Sequence, residues 1–390
     1  TASKANVTNL ATPSGACYLP PVRLSSCILL ELASLGALVV GSGSGLYLGG
    51  REIWRGSQAR AYASHLSVDE TVWSPRVGSD RLLARLPRPG LLEDSGASFG
   101  LFRGIRDEYL LAPLKEREIK RVKFNHGGSS LSLRIDFEGG GRAAFKPDQT
   151  NLQTIPRKEV AAYRLNRLLG LSSVPPAVAR AFTRAELVAR LDPAEVPYLS
   201  RIYNEVTESK DGLVAGELSY WIPELADATL DGVPLDSVVG MVLWKRYLSA
   251  GQPVPAEASG ILAQLSNMVS FDFLTNNVDR WSGSNTKASP DGRVLYFMDN
   301  TLAFGTEPEG HPKSQIYLGR VQKFSRTFYT MMMALDERTI RQAMTSDSGP
   351  YAALLTDDEI EAVLARRTYL VAYIDRLCDA LGEHVVMAFP

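Results

Sequence analysis

Cysteine is scarce. The 390 residues contain three, Cys17, Cys27 and Cys378. At most one disulfide can form, so packing and not a disulfide framework must hold the core. Histidine is nearly as rare. His65, His126, His311 and His384 are scattered and none has metal-ligand spacing, which argues against a zinc site. Neither sign of charge is in excess: 42 Lys and Arg stand against 43 Asp and Glu, a net charge of −1. That leaves no basic surplus for nucleic acid and no acidic tail. No internal repeat is visible, and no Gly-x-x-x-x-Gly-Lys loop. What remains is ordinary globular composition, 45% hydrophobic and 22% charged. The length suits one two-lobed domain or two small ones.

Residues 1–50 read as a tail. Within it Arg23 precedes the apolar run Cys27–Val40, and Gly41-Ser-Gly-Ser-Gly45 follows. A basic residue, a short apolar run and a small-residue stretch form the layout of a secretory signal. Extension to Leu48 would make residues 23–48 long enough for a membrane anchor. Glu31, near the start of the run, counts against both the signal and the anchor, and a buried helix of the folded domain is the alternative. Residues 51–115 read as a helical extension, with a short amphipathic stretch at Asp80–Leu86 that stops at Pro87.

From Glu116 the pattern changes. Ile119–Phe124, Leu131–Phe137 and Arg142–Lys146 alternate as half-buried strands do. Pro156–Leu169 is helical, with Pro in its first turn and Gly170 at its end. Ser173–Phe182 reads as a strand and Arg184–Leu191 as a helix. Gly216–Pro223 reads as a strand running into a turn. Beyond it, helical periods cover Leu235–Leu248, Ile261–Leu274, Asp336–Met344 and Asp357–Leu381. A β-rich part at 116–225 and a helical part at 226–390 predict an α+β fold with two kinase-like lobes, with simple segregated α+β as the plain alternative.

The chemistry concentrates in two short stretches. Phe273–Val278 is an apolar helical segment that ends in Asp279-Arg280. The strand-like run Arg293–Met298 ends in Asp299-Asn300. Phosphoryl transfer needs such a pair of carboxylates, one to orient the attacking hydroxyl and one to hold the metal that neutralises the phosphates. Asp279 is the candidate base and Asp299 the candidate ligand for Mn2+ or Mg2+. Asn285, six residues after Asp279, is a candidate second ligand. Lys146, at the end of a strand, can reach nucleotide phosphates, and Glu159 on the next helix can pair with it. The turn around Gly127 and Gly128 can cover phosphates with backbone N–H groups, although Gly-Gly-Ser is also an ordinary hairpin turn. Tyr220 and Trp221 stand where an adenine pocket would be lined, or they pack in the core.

Ala144-Phe-Lys-Pro147, Glu159–Gly170 and Val174–Arg180 resemble the atypical secretory-pathway kinases, the family of the Golgi casein kinase, the xylose kinase and Four-jointed. Asn277-Val-Asp-Arg280 resembles that family's Asn-x-Asp-Arg motif, and Met298–Phe304 its Asp-Asn-Gly-x-x-Phe motif. Gly216–Pro223 resembles its hinge. The resemblance spans roughly 116–310 in collinear order. It implies an atypical kinase fold, ATP, a divalent metal (often Mn2+) and an extracytoplasmic location. It also implies the same roles for Lys146, Glu159, Asp279 and Asp299. Thr301 departs from the motif's Gly, the chain is poorer in cysteine than animal members, and its composition resembles a bacterial relative.

The expected function is therefore metal-dependent transfer of the ATP γ-phosphate to a hydroxyl of a protein or a glycan. A pseudokinase scaffold is the second expectation and a purely structural domain the third. Acceptor-binding loops are expected in parts of 184–215 and 281–293.

Overall fold

The structure is a computed structural model and describes residues 100–282 and 285–390. The tail with its expected signal or anchor at 23–48, and most of the 51–115 extension, lie outside the described residues. No helix among the described residues is long and apolar enough to cross a membrane.

A hairpin of β1 (Leu101–Phe102) and β2 (Ile105–Arg106) leads into α1 (Asp107–Glu116). Next come β3 (Ile119–Phe124), β4 (Leu133–Phe137), β5 (Arg142–Pro147), α2 (Pro156–Leu168) and β6 (Ala177–Thr183). Two short helices, α3 (Arg184–Ala189) and α4 (Leu199–Glu205), precede β7 (Leu213–Tyr220). Strands β3 to β7 form one antiparallel sheet in the order β3-β4-β5-β7-β6. The strand expected from Ser173 begins only at Ala177, after Pro175 and Pro176, which have no N–H for a ladder.

Alternation gives this sheet two faces. Val122, Leu133, Ile135, Phe145 and Leu218 share one, which α1, α3 and α4 close through Leu114, Leu187 and Ile202. Register places Arg134, Ala144, Lys146, Glu217 and Ser219 on the other. There α2 packs Val160, Ala161 and Leu165 into a core shared with Ala177 and Ala179 of β6. Leu187 of α3 and Ile202 of α4 belong to the core of the face turned away from Lys146.

The second half is mainly helical. Strand β8 (Ala226–Asp227), the ribbon of β9 (Thr229–Leu230) and β10 (Val233–Pro234), and α5 (Val238–Leu248) lead to α6 (Ser259–Thr275). Strands β11 (Thr286–Ala288) and β12 (Leu295–Phe297) pair with each other, and β11 pairs with β8. Then follow α7 (Pro312–Leu318), α8 (Arg326–Ala334), α9 (Glu337–Thr345), α10 (Asp357–Leu381) and α11 (Glu383–Val386). Helix α6 is buried along its whole C-terminal half. It stops where Asn276 turns left-handed at φ 54°, a conformation that Asn tolerates at a helix end. Its end delivers the segment 276–282 to the site.

Candidate active site

Lys146 Nζ donates to Asp299 Oδ1 at 2.6 Å, across 153 residues of chain. The lysine extends from β5 and the aspartate follows β12. Asp299 sits at φ 57°, which is uncommon for a residue with a Cβ and marks positions held by their surroundings. Its side chain is 38% exposed against 13% for Lys146, so the carboxylate keeps an open side. Burial opposes both charges. The pair still holds the Lys146 ammonium above, and the Asp299 carboxyl below, its ordinary value. Thr301, the departure from the motif's Gly, donates its hydroxyl to Asp299 Oδ1 at 3.0 Å. It is absent from the positive-φ positions, so no glycine is required there.

The expected direct pairing of Lys146 with Glu159 is corrected. Glu159 accepts from the backbone and the amide of Asn300, the latter at 2.9 Å. Lys146 feels Glu159 only as a nearby charge. Asn300 Oδ1 in turn accepts from Arg280 Nη2 at 2.8 Å and from Asn277 Nδ2 at 3.1 Å. Arg280, with no solvent exposure, forks onto Asp272 of α6 and also donates to the carbonyl of Met298. Burial pushes the Asp272 carboxyl up to about 6 despite that guanidinium. Removing either partner of such a pair leaves a buried charge uncompensated. The chain Glu159–Asn300–Arg280–Asp272 thus ties α2, the Asp299 turn, the 276–282 segment and α6 into one unit.

Asp279 lies in that segment. Its N–H donates to Asn277 Oδ1 at 3.0 Å. Ser282 Oγ donates to Oδ1, and Asn285 Nδ2 donates to Oδ2 at 3.0 Å. Asn285, expected beside Asp299 as a metal ligand, therefore has its amide on Asp279. Its carbonyl oxygen is the atom left for a cation.

The Gly127-Gly128 turn is fixed at its root and open at its tip. Asn125 N–H donates to the Ser132 carbonyl at 2.8 Å, and the buried Gln149 side chain bonds the Leu131 backbone both ways. A Cβ added at Gly127 or Gly128 would meet nothing within 4 Å. Gly128 sits at φ 84°, which only glycine adopts readily. Tyr220 is corrected to a packing role. Register pairs it with Ala143, on the face away from Lys146, and its ring meets Phe102 edge-on at 6.0 Å. Trp221 does reach the other face, with the Arg134 guanidinium 5.9 Å from its ring.

Sequence reasoning missed Glu217. It stands opposite Lys146 on β7, is 2% exposed and accepts from Ser219 Oγ at 2.6 Å. Burial, and next the charge of Glu159, push its carboxyl up to about 8. In the sequence it shares an alternating strand with Ser219 and looks like part of a solvated face. Asp272 and Asn300 were likewise hidden, one inside an apolar helix and one beside the more conspicuous Asp299.

Glu159, Glu217 and Asp299 surround a single ammonium, so the site is short of positive charge. Among the described residues no group of three His, Cys, Asp or Glu side chains forms a ready metal cage. Oxygen donors in ones and twos suit Mg2+ or Mn2+, which takes its remaining ligands from water and phosphate oxygens. The residues present fit that group.

No protein-family profile matches the chain. Individual proteins do. The human glycosaminoglycan xylosylkinase is 21% identical over 312 residues, 70% of this chain and 75% of that protein. The human extracellular serine/threonine protein kinase FAM20C is 23% identical over 331 residues, and the mouse pseudokinase FAM20A 24% over 311. Among solved structures, the Golgi casein kinase with Mn/ADP bound superposes at TM-score 0.54 with 15% identity, covering 71% of this chain and 77% of the other. Hydra Fam20 with sugar superposes at 0.52 with 17% identity, covering 71% and 90%. The chain is a relative of the atypical secretory-pathway kinases. It shares their fold, with a sheet-rich first part and a helical second part. The matches cover 72% and 67% of this chain but only 56% of each FAM20 protein.

Proposed function

We propose that this secretory-pathway kinase relative transfers the γ-phosphate of ATP to a hydroxyl, on a protein or a glycan, with Mn2+ or Mg2+. The observation that carries the reading is the Lys146–Asp299 contact beside the Asp279 segment, which Arg280 and Asn277 stitch to the Asp299-Asn300 turn. One relative is a protein kinase and another a xylosylkinase by name, which supports both acceptor classes. A related fold holds Mn and ADP, which supports the cofactors. Kinship with an extracellular and a Golgi kinase supports an extracytoplasmic location.

In this reading Lys146 binds phosphate oxygens, and the open tip at Gly127 and Gly128 offers backbone N–H groups to the triphosphate. Asp279, steadied by Ser282 and Asn285, orients the acceptor hydroxyl and takes its proton as the oxygen attacks the γ-phosphorus. Asp299 and the Asn285 carbonyl would hold the metal, which supplies charge neutralisation at the phosphates. Glu159 acts through Asn300 as a positioning residue.

The test is ADP release from ATP with Mn2+ or Mg2+, comparing the protein with Asp279→Ala. Metal-dependent turnover lost in the variant supports the reading. Equal turnover in both would end it. A second reading, a nucleotide-binding scaffold without turnover, is favoured by the six-residue spacing from Asp279 to Asn285 and by Thr301 in place of the motif's Gly. Thermal stabilisation by Mn2+ and ADP without any turnover would select it.

A further inference from the structure

The N-terminal turn of α2, which carries Glu159, is held from outside the site. Arg157 Nη1 and Nη2 fork onto the Glu359 carboxylate at 2.7 and 3.1 Å, and Nη1 also donates to the Leu354 carbonyl at 2.6 Å. Lys158, only 8% exposed, reaches the same carboxylate at 3.1 Å. About two turns on, Arg164 donates to the carbonyls of Ala343, Ser346 and Asp347 at the end of α9. The same stretch touches the first half at three more places. Tyr351 donates to Asp148, next after β5, at 2.9 Å. Lys115 of α1 pairs with Asp347 at 2.5 Å. A Cβ on Gly349, at φ +61°, would stand 2.5 Å from the Ala179 carbonyl of β6, so only glycine permits that approach.

We propose that residues 343–359 form a built-in bracket that fixes the N-terminal turn of α2, and through Glu159 the Asp299-Asn300 turn, in the assembled position. The far end of α2 has its own anchor, Arg167 on Asp107 at 2.6 Å. The bracket therefore acts on the turn that matters for the site. Arg157 and Lys158 immediately precede Glu159, and α2 is too short for that turn to move without carrying Glu159 along. Glu359 also closes the capping box of α10 with Thr356. One carboxylate thus joins the start of α10 to the start of α2. Burial opposes its charge, but the Arg157 hydrogen bond and the other partners hold it below the ordinary value. In functional terms the inference rests on the kinase reading. It says that the helix bearing Glu159 is held in place by the chain's own C-terminal segment, in cis.

The test uses the whole protein and two variants, Glu359→Gln and Arg157→Gln. Gln can still close the capping box, so Glu359→Gln removes the ion pairs and spares α10. Hydrogen exchange is read at 156–168, at 299–305 and at the reference strands 119–147. Both variants should exchange faster at 156–168 and also at 299–305, with 119–147 unchanged. Loosening of 156–168 alone, or no loosening, overturns the bracket. This readout does not need turnover, so it stands apart from the kinase reading. Where the protein does turn over, kcat falls roughly tenfold in both variants, as mutations along such couplings do. A drop in melting temperature with unchanged kcat would reduce the bracket to a purely structural contact.

Discussion

The five-stranded sheet carries two faces in one alternating pattern, and they serve opposite ends. One holds Phe145, Leu218 and Ile135 and is closed by three helices. The other holds Lys146, Glu217 and Arg134. By the usual reading of alternation the polar face is the wet one. Here Glu217 is 2% exposed and Phe145 is 0%, so both faces are dry where they matter. Apolar side chains need only each other, and any mutually fitting set serves. The polar residues are costly to bury and persist only where opposite charges and hydrogen bonds meet them. A strand whose two faces are both buried, one of them ionic, marks a site and not a surface.

The comparison can be broken in stages. The largest effect is expected at the ionic face. Asp299→Ala should lower phosphotransfer roughly a thousandfold or more, since charge stabilisation of the transferring group is lost. A melting temperature near the parent's would show that only the site is affected, and full activity would remove Asp299 from the mechanism. On the apolar face Phe145→Ala should cost about 3–5 kcal/mol of stability, read by denaturant unfolding. The surviving folded molecules should keep the parent's kcat. A large loss of kcat at low cost in stability would mean that the two faces are not separable.

Glu217 sharpens the contrast through pH. Its folded value of about 8 lies above the ordinary 4.5, so the folded state keeps a proton that the unfolded chain releases. Stability from this group is therefore greatest at low pH, falls as pH rises from 4.5, and levels off above 8. Glu217→Gln should lack that decline, and its unfolding midpoint should drop less than the parent's between about pH 5 and about pH 8. Parallel profiles would show that Glu217 does not titrate there. The smallest effect is expected at Arg121, whose side chain is 47% exposed beside Asp136. Arg121→Ala should leave the melting temperature unchanged within error, because exposed ion pairs contribute little. Asp136 keeps Arg142 at 2.6 Å.

Much of this architecture was legible in the residues. Alternation located β3 at Ile119–Phe124, and helical periodicity located α10 at Asp357–Leu381. Short elements with weak periods, such as α4, α7 and β8, were not readable, because tertiary packing and not local preference forms them. In the site, Asp279, Asp299 and Lys146 stand out as ionic residues at the ends of apolar elements. Glu217 and Asn300 do not, since nothing local separates a buried polar side chain from a solvated one.

The sequence by itself determined the α+β order of elements and the kinds of chemistry available. Only the tertiary structure decided who meets whom. It gave Lys146 to Asp299, turned Glu159 onto Asn300, forked Arg280 onto Asp272 and brought Glu359 back to Arg157. Periodicity is a property of neighbours in the chain, and it survives in the sequence. The partner of a buried charge is chosen by distance in space between segments far apart in the chain, and that is settled only once the two halves have packed.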